Sequence, residues 1–321
     1  MSRNNKLVSL ILPNFNSEKF IHLFLNRLFS NTTYANFELI IIDDGSNDNS
    51  LSKIKNYLEK KELVIDKIKI IENKHEGICS ALQKGYKVAK GSYICRLDSD
   101  AFINTKNWVE IMLSFIDLDE KIGIVSPKVI YPTGKIQFMG GIFDKFGLKH
   151  IGNRENADKY NKILEVDAGI GCMMFFRKSL LEKVDVDLNY NPVYMEDIDF
   201  SLTARKVNKK IFVLPSIEVI HYTGKYRYLL ENKNNFFFAD IFPYWFLNIV
   251  ENFYTKYFYN FKKNPILYKN RLYWKKKWGF DFYNPNLDLF IKQNNELSWR
   301  FDKKRLNRGR KIIKKFLIKY G

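Results

Sequence analysis

Cysteine is scarce in this 321-residue chain, which contains only Cys79, Cys95 and Cys172. The three are far apart and none belongs to a CxxC pair, so the sequence indicates neither a zinc site nor a disulfide framework. A reducing compartment is the simplest interpretation of this cysteine usage.

Long hydrophobic runs are also lacking. The apolar run nearest the N-terminus, residues 7–12, is too short for the core of a signal peptide. Residues 241–261 are rich in Phe, Tyr and Trp, but polar and charged residues interrupt them, and no stretch reaches the roughly 18–20 apolar residues of a membrane-spanning helix. We therefore expect a protein that is made and kept in the cytoplasm.

The usual glycine-rich phosphate-binding motifs are absent. No GxGxxG follows the first apolar run, and GxxxxGK[ST] occurs nowhere in the chain. This disfavours a dinucleotide-binding Rossmann domain and a P-loop enzyme. A site that binds a nucleoside diphosphate without such a loop needs another source of positive charge, and a divalent cation is one.

The first hundred residues alternate between two hydrophobic patterns. Short runs rich in Val, Ile and Leu predict buried strands, and apolar residues spaced i, i+3, i+4 predict helices. The predicted strands are 7–12, 37–42, 67–71 and 93–97, and the predicted helices are 17–30, 48–61 and 76–89. Strands separated by such helices imply right-handed crossovers and a mostly parallel sheet, so the fold class is α/β.

Polar clusters follow three of these strands at the point where each ends. They are Pro13-Asn-Phe-Asn16, Asp43-Asp44-Gly45-Ser46 and Asp98-Ser-Asp100. The carboxyl ends of parallel strands meet at one edge of the sheet, where ligands bind in such folds. The clusters therefore favour a binding site at this edge.

Asp98 and Asp100 are spaced so that both side chains project to one face of an extended chain. On its own an Asp-Ser-Asp sequence is more often a solvated turn. Placed with the other two clusters, the pair is better interpreted as a cation site, and hard carboxylate oxygens suit Mg²⁺ or Mn²⁺.

Five segments in order resemble those of the family 2 glycosyltransferases of GT-A fold. Spread over residues 6–224, they read VSLILPNFNS, IIDDGSNDNS, HEGICSALQKGYKVAKGSYICRLDSDAF, VDAGIGCMMFFRKSL and EDIDFSLTARK. The segment SPKVIYPTGKIQFMGGIFD also resembles the branch with rhamnosyltransferases and O-antigen or capsule assembly enzymes. The resemblance implies a Rossmann-like sheet with helices on both faces and inverting, metal-dependent transfer of a sugar from a nucleotide-sugar donor, UDP- or dTDP-linked, to a glycan or lipid-linked acceptor.

The resemblance also implies site residues. Asp44 would hydrogen-bond the nucleobase, and Gly45 would allow the tight turn after it. Asp98 would approach the ribose or the metal, and Asp100 would ligate the metal directly. The implied nucleotide-sugar pocket is formed by Pro13, Asn16, Asp43, Asp44, Gly45, His75, Gly77, Asp98 and Gly171.

Glu196 and Asp197 stand at the predicted start of a helix. Acidic residues cap helix starts in any protein, so a purely structural role is the alternative. Removing a proton from an acceptor hydroxyl needs a carboxylate within reach, and the helix N-terminus favours the ionised form. By resemblance Asp197 is the general base and Glu196 orients the acceptor.

His221 is the third candidate metal ligand, by resemblance to family members that carry a histidine after the strand following the acidic helix. The alternative is a histidine that only ends a strand. His22, in the first predicted helix, and His150, in a predicted loop, receive no role.

Composition changes near Gly224, where we place a domain boundary. Residues 225–321 hold 22 Lys and Arg against 7 Asp and Glu, and 27 of the 51 aromatic side chains. We predict a catalytic domain at 1–224, with a nucleotide-binding half at 1–100 and an acceptor half at 101–224. A helical, basic and aromatic extension follows at 225–321.

The basic helical segment 303–321 favours contact between this extension and an anionic membrane surface, on the inner face of the membrane. Packing on the catalytic domain or a homo-oligomer contact are the alternatives, and nucleic acid is the least favoured partner. For the whole chain, the competing functions are a non-catalytic protein that binds membrane or nucleic acid on a similar scaffold, and a sugar nucleotidyltransferase.

Overall fold

The computed structural model describes residues 6–60, 67–144, 147–222 and 264–282. Its strands are β1 (Val8–Asn14), β2 (Phe37–Asp43), β3 (Ile68–Glu72), β4 (Tyr93–Leu97), β5 (Ala101–Ile103), β6 (Ile122–Ile130), β7 (Ile136–Phe138), β8 (Gly141–Asp144), β9 (Gly147–His150), β10 (Leu164–Val166), β11 (Met173–Arg177) and β12 (Lys210–His221). Its α-helices are α1 (Ile21–Asn31), α2 (Ser50–Lys60), α3 (Ile78–Val88), α4 (Trp108–Ile116), α5 (Glu196–Lys206) and α6 (Pro265–Trp278).

One large sheet organises the described chain, in the order β10-β12-β6-β11-β4-β1-β2-β3. Strands β4, β1, β2 and β3 are parallel, as are β6 and β12, while β11 runs antiparallel between β4 and β6. The short strands β5 and β7 extend β12 and β6, and β8 and β9 form a separate hairpin. The predicted α/β class with a mostly parallel sheet is confirmed.

The central strands form because they can be buried on both faces. Strands β4 and β6 are buried along their whole length, and β1 is buried except at Pro13. Helix α3 packs on β1 and β2 so closely that a Cβ on Gly85 would lie 2.5 Å from Ile11 Cγ2. A continuous apolar run, rather than an alternating one, is what a parallel strand covered on both faces requires.

Three predicted details are corrected. Strand β1 does not end before Pro13 but continues to Asn14. Proline lacks a backbone N–H donor, yet its position still pairs in register with Ile42. Helix α1 begins at Ile21, since residues 17–20 form a turn in which the Ser17 carbonyl accepts from Phe20 and Ile21. His150 does not lie in a loop but on β9, opposite Gly141.

Part of the C-terminal region packs on the rest of the chain. Asn264 caps the N-terminus of helix α6, where its side chain accepts from the Leu267 backbone N–H, and Gly279 in the left-handed conformation caps the C-terminus. Trp274 is fully buried and stacks on Phe143 with ring centroids 6.1 Å apart. The other predictions for the extension, including the basic segment 303–321, lie outside the described residues. Within the described ranges, no helix combines the length and the apolar character needed to cross a membrane.

Candidate active site

The polar residues that end β1 and β2 lie side by side, because these strands pair in register. Asn14 donates through Nδ2 to Asp43 Oδ1 at 2.7 Å, and the Ser46 hydroxyl donates to the same oxygen at 2.7 Å. Asp43 is only 3% exposed. Its carboxylate therefore shapes the turn after β2, beside Pro13.

Asp44 holds the loop that follows β3. Its Oδ1 accepts from Asn73 Nδ2 at 2.7 Å and from the Glu76 N–H at 2.9 Å, while Oδ2 accepts from the Gly77 N–H at 2.8 Å. The carboxylate is buried, and the predicted bond from it to a nucleobase would share or replace one of these bonds. That role stays a prediction.

Two glycines in this region are required by space as well as by backbone conformation. Gly45 has a φ of +73°, and a Cβ there would lie 2.7 Å from the backbone nitrogen of His75. Gly77 has a φ of +97°, and its Cβ would lie 2.6 Å from Asn191 Oδ1. Asn16 also adopts a positive φ, with its side-chain oxygen accepting from the Asn47 N–H. Tight turns thus bring the predicted donor-site loops together.

Phe15 and His75 form an exposed aromatic platform above these loops. Their rings stack with centroids 4.0 Å apart and an interplanar angle of 21°. Phe15 is 38% exposed, so one face of the stacked pair is open to solvent. A flat base or sugar face could pack against it.

Asp98, Asp100 and His221 converge beyond β4 and β12. One ligand atom from each lies within 4.8 Å of the other two, and all three side chains are partly exposed. His221 Nε2 lies 3.3 Å from Asp100 Oδ1, and the Tyr222 N–H donates to the Asp100 carbonyl at 2.9 Å. The sheet therefore brings the three predicted metal ligands into one group.

The chemistry of this group fits a divalent cation. Two carboxylates and one imidazole are ligands that Mn²⁺ accepts, and Mg²⁺ prefers the oxygens. Burial alone lowers the pKa of His221, but the neighbouring Cys172 and Asp100 outweigh it and raise that pKa well above its usual value. A position that favours a protonated imidazole also favours a metal cation, because both respond to the same negative surroundings.

Arg96 connects the predicted metal ligand Asp98 to the start of helix α5. Its Nη2 donates to Glu196 Oε1 at 2.8 Å, and its Nε lies 3.6 Å from Asp98 Oδ1. Both Arg96 and Glu196 are about 95% buried, at 4% and 5% exposure. A single buried guanidinium therefore joins the end of β4 to the start of α5.

Gly171 and Asp197 complete the arrangement. The Gly171 N–H donates to Asp197 Oδ2 at 2.7 Å, and the Ile198 N–H donates to Oδ1 at 2.8 Å. A Cβ on Gly171 would lie 2.7 Å from Arg96 Nη2, so only glycine fits against the guanidinium. Each Asp197 oxygen keeps a second lone pair, which leaves the carboxylate able to accept a proton.

Two carboxyl groups here have raised pKa values. Burial, together with the charge of Glu196, raises the pKa of Asp197 to about 6 against the opposing effect of Arg96. Burial and the charge of Asp100 raise the pKa of Asp98 to about 6, again against Arg96. Such shifts are typical of functional sites, and a base with a pKa near 6 is ionised at neutral pH.

A family model now decides the class of the protein. The model described as "Glycosyl transferase family 2" matches residues 9–185, more than half of the chain. The chain belongs to glycosyl transferase family 2. The predicted enzyme class, glycosyltransferase, is confirmed.

Curated relatives agree with this assignment. An uncharacterized glycosyltransferase of Haemophilus influenzae is 34% identical over 120 residues, which are 37% of this chain and 35% of that protein. The Escherichia coli protein WfgD, named a UDP-Glc:alpha-D-GlcNAc-diphosphoundecaprenol beta-1,3-glucosyltransferase, is 27% identical over 278 residues, 82% of this chain and 97% of its own.

A solved structure shows the fold. GalNAc-T7, crystallised with UDP, GalNAc and Mn²⁺, superposes with a TM-score of 0.56 at 19% identity, over 67% of this chain and 44% of its own. The predicted GT-A fold of the glycosyltransferase is confirmed. The chain thus spans less than half of the GalNAc-T7 chain.

The sequence reasoning missed two residues of this site. Arg96 lies within the apolar strand Tyr-Ile-Cys-Arg-Leu, two positions before Asp98. A charged residue on the same face of the strand as Asp98 is a sequence signal that could have indicated its place in the site. Phe15 lies inside a polar cluster, where an aromatic residue has no core to join. The roles of the residues named from the sequence stay predictions.

We predict that Arg96→Met lowers the free energy of unfolding by about 3–5 kcal/mol, because it leaves the buried Glu196 and the partly exposed Asp98 without a compensating charge. The double variant Arg96→Met/Glu196→Gln should recover part of this loss. Urea denaturation followed by circular dichroism measures both.

The control is Lys55→Met, which breaks the ion pair of Lys55 with Glu72, two side chains that are about half exposed. It should change stability by less than about 1 kcal/mol. An Arg96→Met variant as stable as the control would show that the buried guanidinium does not hold the site together.

Proposed function

We propose that this glycosyltransferase is an inverting, metal-dependent enzyme that transfers a sugar from a UDP- or dTDP-linked donor to a hydroxyl group. The observation that supports this most directly is the link through Arg96, which ties the metal-type group of Asp98, Asp100 and His221 to the helix that carries Asp197. A leaving-group site and a base are thereby held in one rigid unit.

The first part of the mechanism is the departure of the nucleoside diphosphate. Asp98, Asp100 and His221 would hold the cation, which supplies Lewis-acid stabilisation of the negative charge on the diphosphate. The loops around Asp44 and the exposed ring of Phe15 would bind the nucleoside, at the edge where the predicted pocket residues meet. Binding in this place orients the sugar for attack.

The second part is activation of the acceptor. Asp197 would accept the proton of the acceptor hydroxyl, because its two oxygens are fixed by the Gly171 and Ile198 N–H groups and each retains a lone pair. Glu196, which precedes Asp197 at the start of α5, would orient the acceptor. One base without a nucleophile fits a single displacement and therefore inversion.

Related proteins support the choice of substrates. WfgD is named as using UDP-Glc and a diphosphoundecaprenol-linked sugar, and the GalNAc-T7 crystal contained UDP and Mn²⁺. We infer that the donor is a uridine- or thymidine-linked sugar, the metal Mn²⁺ or Mg²⁺, and the acceptor a glycan or lipid-linked sugar of a cell-surface polysaccharide.

The C-terminal extension would bring the enzyme to such an acceptor. On α6 the face opposite the buried tryptophans exposes Tyr268 and Leu272, and Lys269, Lys275 and Lys276 are exposed beside them. Aromatic and basic residues on one surface suit an anionic membrane. We therefore propose peripheral attachment to the inner face of the membrane through residues 225–321.

The metal role predicts that Asp100→Asn abolishes transfer and the Mn²⁺-dependent binding of UDP while the fold remains intact. A ligand that binds the native state raises the melting temperature, so thermal shift with UDP, dTDP and GDP, with and without Mn²⁺, measures this. Glu120→Gln, which changes an exposed carboxylate in the turn after α4, is the control and should behave as wild type. Wild-type turnover that survives EDTA would contradict the metal role.

The base role predicts that Asp197→Asn lowers the transfer rate by roughly two to four orders of magnitude while the donor still binds. In the wild type at saturating metal, the rate should fall roughly tenfold for each pH unit below the pKa of about 6, since the protonated carboxyl accepts no proton. Steady-state rates from pH 4.5 to 8 measure this. An Asn variant whose donor affinity falls as far as its rate would mean that Asp197 binds the donor instead.

The attachment predicts that truncation after Lys303 releases the protein from vesicles containing anionic lipid. Binding of the full chain should also weaken with salt, because surface potentials act within roughly 8 Å at physiological ionic strength. Vesicle flotation and size-exclusion chromatography measure both. If the truncated protein unfolds or an oligomer dissociates, the extension is a structural or assembly element.

A further inference from the structure

A short loop, residues 190–195, joins three parts of the protein, and we call it the bridging loop. It lies directly before α5, which carries Glu196 and Asp197. Its first half contacts the donor side: Asn191 Oδ1 accepts from the Cys79 N–H at 3.0 Å, and the Pro192 carbonyl accepts from the Ile78 N–H at 2.9 Å. The position of this loop therefore sets how the predicted base stands relative to the donor-site loop.

The second half of the bridging loop is held in an unfavourable conformation. Tyr194 and Met195 have φ values of +84° and +73°, in the left-handed region that side chains with a Cβ avoid. Such residues persist only where the surrounding structure holds them, and they are concentrated at functional sites. Some contact must therefore fix the peptide groups on either side of Tyr194.

That contact comes from α6. Asn270 is fully buried, and its Nδ2 donates to the carbonyl oxygens of Tyr190 at 3.0 Å, Val193 at 2.9 Å and Tyr194 at 3.0 Å. The Val193 and Tyr194 carbonyls belong to the two peptide groups that flank Tyr194. One amide thus fixes the strained part of the loop.

A second set of contacts anchors α6 to α5 itself. Lys277 Nζ donates to Asp199 Oδ2 at 2.8 Å and to Asp187 Oδ2 at 2.7 Å, and Trp278 Nε1 donates to Asp199 Oδ1 at 2.8 Å. Asp199 is 1% exposed and lies two residues after Asp197. Helix α6, which contacts the bridging loop, is therefore also hydrogen-bonded to α5, which carries the predicted base.

We propose that Asn270 is a positioning residue of the transfer reaction, which it serves by holding the bridging loop so that Asp197 and Glu196 face the donor. The inference rests on the proposed role of Asp197. It makes α6, which follows the predicted domain boundary at Gly224, a working part of the active site. Because a displacement of about 1 Å can cost two orders of magnitude in rate, loss of the Asn270 contacts should act mainly on kcat.

The test compares two variants of the same helix in the full-length protein. Asn270→Ala removes the three bonds to the loop, whereas Asn264→Ala removes the N-terminal cap of α6, the bond to the Leu267 N–H, and touches no loop residue. Release of UDP from UDP-glucose or UDP-GlcNAc with Mn²⁺ is measured per folded molecule. We expect kcat of Asn270→Ala to fall ten- to a hundredfold with a donor KM within threefold of wild type, and kcat of Asn264→Ala to stay unchanged.

A structural role alone would lower the melting temperature of both variants and leave kcat per folded molecule unchanged in both, which would overturn the proposal. An equal loss of kcat in Asn264→Ala would overturn it too. If Asn270→Ala does not fold, Asn270→Ser replaces it in the same measurement. Serine keeps one hydrogen-bond donor and leaves a smaller cavity than alanine, so we expect a kcat between those of Asn270→Ala and the wild type.

Amide hydrogen exchange separates this proposal from the proposed function, because it needs no turnover. In Asn270→Ala the amides of residues 190–195 other than Pro192, and those of Gly171 and Ile198, which both donate to Asp197, should exchange faster than in Asn264→Ala. Unchanged exchange overturns the positioning role, whereas a wild type that cleaves neither UDP- nor dTDP-linked sugars with Mn²⁺ or Mg²⁺ contradicts the proposed function alone.

Discussion

The active site depends on the burial of one positive charge, the guanidinium of Arg96, among carboxylates. Asp98, Glu196 and Asp197 stand around it, and Glu196 is as deeply buried as Arg96. Removing ionised groups from water is costly, so the three carboxylates could not all stay charged here without a compensating cation. One arginine compensates only part of this negative charge. Burial, with a smaller effect of Asp100 on Asp98 and of Glu196 on Asp197, raises the pKa of both groups to about 6. A site with this residual charge is suited to a divalent cation.

The same guanidinium explains local features that have no other reason to occur together. Gly171 must be a glycine because the Arg96 side chain occupies the space of its Cβ. The Gly171 N–H also donates to Asp197, so the backbone that lies against Arg96 orients the predicted base. Strand β11 delivers this backbone because it pairs antiparallel with β4, which carries Arg96. Three features therefore form one structural unit: Gly171, Arg96 on β4, and the acidic start of α5.

The sequence predicted most of the sheet and of the acidic edge, for a physical reason. Buried parallel strands are continuous apolar runs, and the polar residues that end them must meet when the strands pair in register, as Asn14 and Asp43 do. It predicted less well what the polar residues contact. The predicted bond from Asp44 to a nucleobase stays a prediction, but the sequence did not indicate that each oxygen of Asp44 also accepts from the loop after β3. Buried carboxylates are satisfied by whatever donors the fold supplies. Contacts of Asn270 with residues nearly eighty positions away leave no local pattern that sequence reasoning could use.

The composition of the sequence suggests a boundary near Gly224, but side-chain contacts of α6 cross this boundary. Charge and aromatic content change near Gly224, which predicts a separate extension, but α6 buries Trp274 and Trp278 against the catalytic part. Asp187 reports how closely the two are joined: burial raises its pKa, but hydrogen bonds from Lys277, Asn189 and Tyr273 outweigh this and lower the pKa to about 2. A carboxyl whose pKa is lower in the folded protein stabilises it above the unfolded value of about 4, and this stabilisation is lost as the pH falls toward 2. At neutral pH the ion pair therefore keeps α6 in place, so the strained bridging loop and the predicted base are supported by a part of the chain that composition alone would assign elsewhere.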